Sequence, residues 1–173
     1  MKKLTIVIIL IASNTFSQKY IDTLYHFKVE KNDITWQKVF ENSLPDLQKT
    51  FIKQTMTNLK FDSLQEIDET ISFSVKDDIV DFKKYGGKWG TTAIFIQYPI
   101  NYLVVIDFKE NKYRVTIKSI NLKSEIRYMA TDLNDYILKQ GKIKNTNTLN
   151  TGLSYYDQHF TEKFTITTKK DDW

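Results

Sequence analysis

Residues 102–120 constrain the fold more than any other part of this chain, because their pattern is that of a β-hairpin. Side chains of a strand point alternately to the two faces of a sheet. If Glu110 and Asn111 form a two-residue loop, one face of the hairpin is apolar and the other places Asp107 opposite Arg114. The apolar pairs are then Phe108 with Tyr113, Ile106 with Val115 and Val104 with Ile117. This alternation predicts an antiparallel sheet with one face on a hydrophobic core.

Residues 1–17 have the pattern of a secretion signal. Lys2 and Lys3 precede an apolar run over residues 4–12, which is shorter than the roughly 20 apolar residues of a membrane-spanning helix. We predict cleavage after Ser17 and export of the mature chain to the periplasm or out of the cell, with no stable membrane span afterwards. The alternative is an N-terminal anchor that is not cleaved.

The composition narrows the classes of partner and chemistry. The sequence has no cysteine, which excludes a lipidated N-terminal cysteine, disulfides and thiolate metal sites. Half of the net charge of +4 comes from Lys2 and Lys3, and the lysines elsewhere alternate with acidic residues. A nucleic-acid partner is not expected, because phosphate binding requires a clustered basic face. Residues 18–173 suit a single domain, with a core region over residues 23–121 and a C-terminal helical segment over residues 122–173.

The predicted fold is α+β, with an antiparallel sheet of about five strands and two helices packed on one face. A first strand is expected over residues 23–30, with Tyr25, Phe27 and Val29 on one face. A long helix is expected over residues 36–51, kinked at Pro45. Its apolar residues step by three or four and are Trp36, Phe40, Leu44, Leu47 and Phe51.

Further segments complete this prediction. Strands are expected at residues 59–64, 67–75 and 91–98, and a modest helix at residues 132–140. Residues 142–150 are polar and are interpreted as a loop without core residues. A closing helix is predicted from the spacing of its apolar residues, which are Leu153, Tyr156, Phe160 and Phe164.

The candidate binding site is the irregular stretch over residues 83–90, which combines glycines, lysines and aromatic residues. Its candidate binding residues are Tyr85, Gly86, Gly87, Lys88 and Trp89. Backbone N–H groups and lysines suit an anion, and aromatic faces suit a sugar or peptide. The stretch lacks the G-x-x-x-x-G-K-[ST] pattern of a nucleotide-binding loop. The alternative is a long turn between two strands.

No catalytic or metal-binding constellation is predicted, and no cofactor is implied. His26 and His159 are the only histidines, and neither has the spacing of a metal motif, although folding can still pair them with Glu30 or Asp157. The acidic residues Asp77, Asp78 and Asp81 are interpreted as turn and solvent-facing residues. Four aromatic residues outside the core stripes would mark an interaction patch if they share a surface: Trp89, Tyr98, Tyr102 and Trp173.

The hairpin sequence resembles a known family. Residues 108–116 read FKENKYRVT and are similar to the F-K-[DE]-x-[KR]-Y-R-V-T hairpin of small secreted bacterial domains of unknown function with a TATA-binding-protein-like (TBP-like) fold. The stretch WQKVF at residues 36–40 supports this, and the resemblance covers residues 25–121. It implies a fold, and it transfers no functional residue.

The predicted function is that of a non-enzymatic exported module that binds a protein or envelope component. A second hypothesis is a small-molecule carrier or sensor that holds its ligand between sheet and helix. A third, with the least support in the sequence, is a hydrolase that acts on envelope polymers.

Overall fold

Two antiparallel sheets and three α-helices make up the part of the chain that the computed structural model describes, residues 19–55, 59–123 and 131–166. The strands are β1 Tyr20–Ile21, β2 Thr23–Leu24, β3 Phe27–Glu30, β4 Asp33–Glu41, β5 Phe61–Ile67, β6 Thr70–Asp78, β7 Ile100–Lys109, β8 Lys112–Leu122, β9 Leu138–Lys139 and β10 Lys142–Lys144. The helices are α1 Leu47–Thr55, α2 Leu133–Ile137 and α3 Asn147–Phe164, with a short 3₁₀ helix over Ile94–Gln97. The predicted signal segment and Trp173 lie outside the described residues.

The main sheet has seven strands in the order β2-β3-β4-β8-β7-β6-β5, and a separate three-stranded sheet has the order β1-β10-β9. The prediction of about five strands was therefore too low. One reason is that residues 23–30 form two strands and not one, since the chain turns back at Tyr25. Tyr25 adopts a φ of 54° in this turn and is exposed, so it does not share a buried face with Phe27 as predicted.

The predicted β7–β8 hairpin is confirmed. Phe108 pairs with Tyr113, Ile106 with Val115, Val104 with Ile117 and Asp107 with Arg114. The loop consists of Glu110 and Asn111, and Asn111 takes a φ of 58°, which asparagine tolerates better than most residues. The local alternation of the sequence was sufficient to set this register, because a shift by one residue would expose every apolar side chain.

The predicted long helix over residues 36–51 is wrong in its first half. Residues 33–41 form strand β4, and the helix α1 begins at Leu47, two residues after Pro45. A step of four residues returns to the same face in a strand as well as in a helix, so Trp36 and Phe40 fit both structures. Pairing with β8 selects the strand, since Trp36 lies opposite Ile117 and Phe40 opposite Tyr113.

Three further segments differ from their prediction. The helix expected over residues 132–140 spans only Leu133–Ile137, and Leu138–Lys139 form strand β9. Residues 91–98 contain the short 3₁₀ helix and no strand. Residues 142–150 contain strand β10, whose Ile143 is fully buried, and the start of α3. Strand β10 has three residues, of which only Ile143 is apolar, so the sequence there shows no periodic pattern.

The hydrophobic core lies between one face of the main sheet and the helices α1 and α3. The closing helix was predicted correctly, and its Leu153, Tyr156, Phe160 and Phe164 are buried. Phe160 contacts the ring of Trp36, with centroids 5.5 Å apart. Burial of each such side chain contributes roughly 1.5 to 3 kcal/mol. The opposite sheet face keeps accessible residues such as Val39 and Leu103.

Candidate functional site

The predicted binding residues lie in one loop, residues 83–90, which is called the aromatic–lysine loop below. It follows strand β6 and is held by backbone hydrogen bonds: the N–H groups of Tyr85 and Gly87 both donate to the carbonyl oxygen of Phe82. Phe82 is itself buried. The loop is therefore anchored to the core at its start.

Two glycines allow this tight turn. Gly86 has a φ of +88°, a region that residues with a side chain seldom adopt. A Cβ on Gly87 would lie 2.8 Å from the carbonyl oxygen of Phe82 and equally close to its ring. Gly86 and Gly87 thus shape the backbone of the loop. The side chains that can contact a ligand are those of Tyr85, Lys88 and Trp89.

Trp89 is the most accessible large aromatic residue of the loop, with 60% of its surface exposed. Its ring meets the buried ring of Phe82 edge to face, with centroids 5.1 Å apart. The Nζ atom of Lys83 lies 5.5 Å from the Trp89 ring centroid, within the range of a cation–π interaction. The indole is thus held from one side and open on another.

Tyr85 connects the loop to helix α3. Its hydroxyl donates a hydrogen bond of 3.0 Å to Oε2 of Glu162, which also pairs with Lys84. Its ring stacks near that of Tyr155. Burial raises the pKa of the Tyr85 phenol, and the nearby Glu162 carboxylate raises it further, so the hydroxyl stays protonated at neutral pH.

A buried ionic cluster lies at the end of β6, before the loop, and the sequence did not reveal it. Asp78, at the end of β6, is almost fully shielded from solvent. Its carboxylate accepts a hydrogen bond of 2.6 Å from Tyr102, lies 2.9 Å from Nε2 of His159 and pairs with Lys163. The interpretation of Asp78 as a solvent-facing turn residue was therefore wrong. His159 and Lys163 lie four residues apart on α3, one helical turn, which is the only trace of this cluster in the sequence.

The protonation of this cluster follows from its charges. Burial opposes ionisation of the Asp78 carboxyl, but the hydrogen bonds and positive charges of His159 and Lys163 outweigh it and lower its pKa to about 2. Burial raises the pKa of Tyr102 well above its usual value, and Asp78 adds to this effect. Because Tyr102 is buried here, it does not belong to a surface patch with Trp89.

The other histidine also meets a carboxylate on α3. Nδ1 of His26 lies 2.6 Å from Oδ1 of Asp157, and Nε1 of Trp36 donates to the same oxygen at 2.8 Å. The pairing of His26 with Asp157 was one of the open alternatives in the sequence. Within the described ranges, no serine or threonine hydroxyl is hydrogen-bonded to either histidine.

Two properties of the described residues bear on the site. No group of three or more histidine, aspartate or glutamate side chains there has an arrangement that would hold a metal ion. None of the helices in that part of the chain is both long and apolar enough to cross a membrane.

The space between the sheet and α3, where a carried ligand was hypothesised, is occupied by aromatic side chains. Tyr156 stacks with Phe160 at 5.7 Å, and Phe160 meets Tyr102 edge to face at 5.3 Å. The hydroxyl of Tyr156 donates to the carbonyl oxygen of Phe95. These contacts are those of a packed core.

The fold defines an α+β protein with a seven-stranded antiparallel sheet and helices on one of its faces. No family model and no curated protein matches the sequence. Among solved structures, it is similar to a DUF4468 family protein from Bacteroides ovatus, with a TM-score of 0.50 at 12% identity over 80% of this chain and 87% of that chain. It is also similar to a TBP-like protein from Parabacteroides distasonis, with a TM-score of 0.47 at 13% identity over 78% of this chain and 92% of that one. The DUF4468 family structure confirms the predicted resemblance to bacterial domains of unknown function for the fold alone.

Proposed function

We propose that this protein is a non-enzymatic exported module that binds a protein or other envelope component through the aromatic–lysine loop. The observation that carries the proposal is the exposure of Trp89 on a loop whose backbone is fixed. A tryptophan that is mostly accessible leaves a large apolar surface in water, and such residues are frequent anchors of interfaces.

The aromatic–lysine loop is preorganised in the free protein. Two backbone hydrogen bonds hold its start to Phe82, the hydroxyl of Tyr85 donates to Glu162, and the ring of Trp89 contacts that of Phe82. Because these contacts already order the loop, binding loses little conformational entropy. A partner needs only to cover the open side of the indole.

The charges around the indole indicate the chemistry of the partner. Lys83 lies beside the ring, and Lys88 is exposed next to it. Lys88 makes no side-chain ion pair with another described residue. A partner that places acidic groups at the edge of an apolar face would be complementary to this surface.

Export and the absence of catalysis belong to the same proposal. The pattern of residues 1–17 supports export. The structure supports a non-enzymatic role in one respect. His26 and His159 are each hydrogen-bonded to a carboxylate, and no serine or threonine hydroxyl among the described residues is hydrogen-bonded to either of them.

The experiment is a crosslinking pull-down of the full chain, tagged at its C-terminus and produced in its own cell. Mass spectrometry of the recovered protein is expected to give a chain that begins at Gln18, in the envelope or the medium. The same sample is expected to contain one reproducible crosslinked component. Trp89→Ala should reduce the yield of that component at least about tenfold, because the anchor of the contact is removed.

The matched control is Tyr25→Ala, which removes an aromatic ring of 53% exposure from a different turn. It should leave the yield unchanged, and both variants should have the thermal stability of the wild type. Equal capture by the Trp89→Ala variant, or no captured component with a folded bait, would overturn binding through the loop. An intact N-terminus in the cytosol would overturn export.

A further inference from the structure

A groove of about 630 Å³ lies at the end of the main sheet, away from the residues that form the aromatic–lysine loop. Three segments line it: the start of α1 with the residues before it, the β5–β6 turn, and the β7–β8 loop. The two turns meet because the N–H of Phe108 donates to the carbonyl oxygen of Glu69. The volume is within the range of pockets that bind ligands, roughly 300 to 1,000 Å³.

The groove has an apolar floor and an acidic rim. The floor includes Leu44, Ile52 and Phe108. The rim carries the carboxylates of Asp46, Glu66, Glu69 and Glu110, against the two cations Lys49 and Lys109. The groove is thus net acidic, although the whole chain has a net charge of +4.

These four carboxylates differ from most others in the fold. Within the described part of the chain, none of them has an ion pair or a hydrogen bond, whereas Asp62, Asp77, Asp107, Asp157 and Glu162 are all paired. Like charges around one concave surface repel each other and attract a cation from outside. The charge of the groove is therefore complementary to a positively charged ligand.

The neighbouring strand favours an extended peptide over a small amine. Glu66 belongs to β5, which is the edge of the main sheet. Glu66 lies opposite Ile71, whose side chain is in the core, so its own side chain is on the face that carries α1. An edge strand has free main-chain donors and acceptors on its outer side, which an extended peptide can use.

We propose that this groove binds an extended peptide segment of a partner protein in which lysine or arginine alternates with apolar residues. The apolar side chains lie on the floor at Ile52 and Phe108. The cationic side chains meet the carboxylates of Glu66, Glu69 and Glu110. This site is separate from the aromatic–lysine loop and does not depend on the function proposed for that loop.

The test is an NMR titration of the purified protein with acetyl-(Leu-Lys)₃-amide. Chemical-shift changes are expected at Leu44, Ile52, Phe108 and Glu110, and no binding is expected for acetyl-(Leu-Glu)₃-amide. The double variant Glu66→Gln/Glu69→Gln should weaken binding at least about fivefold, since two attractive charges are lost. Both substitutions are at exposed positions, so the variant should fold.

The control is Asp135→Asn, an exposed carboxylate on α2, which should leave the affinity unchanged. The proposal is overturned if the groove resonances do not shift or if both peptides bind equally. It is also overturned if lysine amide binds as tightly as the peptide, which would indicate a simple cation site. Concentration-dependent shifts of the groove without any peptide would show that a second copy of the chain is the occupant.

Discussion

At the scale of single residues, Asp78 is the clearest case in which position decides chemistry. Its carboxylate is buried, yet it remains ionised because Lys163 and His159 supply positive charge and Tyr102 donates a hydrogen bond. A buried carboxylate of this kind stabilises the fold only while its partners are present. Asp62 and Lys76 form a similar pair on the surface, where solvent screens it.

Asp78 makes the stability of the protein depend on acid pH. Its pKa is lowered from 3.8 to about 2, so its contribution is complete above about pH 4 and is lost as the pH falls towards about 2. The shift corresponds to about 2 kcal/mol. In denaturant titrations, Asp78→Asn should be less stable at pH 7 by about 2 to 3 kcal/mol and should change less than the wild type between pH 4 and pH 2.

The control for this prediction is Asp62→Asn, which breaks only an exposed pair. It should lower the free energy of unfolding at pH 7 much less than Asp78→Asn does, because solvent screens the exposed pair. If Asp78→Asn is no more harmful than Asp62→Asn, the buried cluster does not stabilise the fold.

At the scale of elements, the β7–β8 hairpin links the core to the acidic groove. Its inner face packs on α1, and its loop borders the acidic groove. On the inner face, Phe108 is 6% exposed and its ring lies 5.8 Å from that of Phe51. The strands of the hairpin therefore form part of the core, whereas its loop is available for binding.

Truncation of Phe108 tests this role. Phe108→Ala should cost about 3 to 5 kcal/mol of unfolding free energy, because it removes a buried ring and leaves a cavity beside Phe51. Val105→Ala, on the outer face of the same strand, should cost about 1 kcal/mol or less. Equal losses in chemical denaturation would contradict the assignment of the two faces.

At the scale of the whole molecule, the centre of the main sheet should be the most stable region. Strands β4, β7 and β8 are neighbours in that sheet and have strands on both sides. The strands β1, β2 and β9 have two residues each and lie at sheet edges. Opening of these short strands breaks few hydrogen bonds, whereas opening of the centre requires global unfolding.

Hydrogen exchange measures this difference directly. Amides of β4, β7 and β8 should exchange at least about a hundredfold more slowly than those of β1, β2 and β9, because their exchange needs the larger opening. Measuring the exchange by NMR at two pH values would verify that the exchange rates report the opening equilibrium and not the opening rate. Similar protection in both groups would contradict a single cooperative core around β8.

The sequence by itself determined the β7–β8 register and the closing helix, because both depend on regular local periods. The apolar residues of the two strands, which include Phe108 and Tyr113, lie together on one face in only one pairing register. The steps of three and four through Tyr156 and Phe160 span enough turns to exclude a strand. The position of the candidate loop was also determined by its glycines, but the exposure of Trp89 on it was not.

Only the tertiary structure decided that residues 33–41 form strand β4. It alone also brought together the residues of the Asp78 cluster and those of the acidic groove. A step of four from Trp36 to Phe40 fits a helix or a strand, and pairing with β8 made the choice. Asp78 and His159 are 81 residues apart in the chain, and the groove combines three distant segments. Such contacts depend on which surfaces the folded chain brings together, and no local pattern in the sequence contains that information.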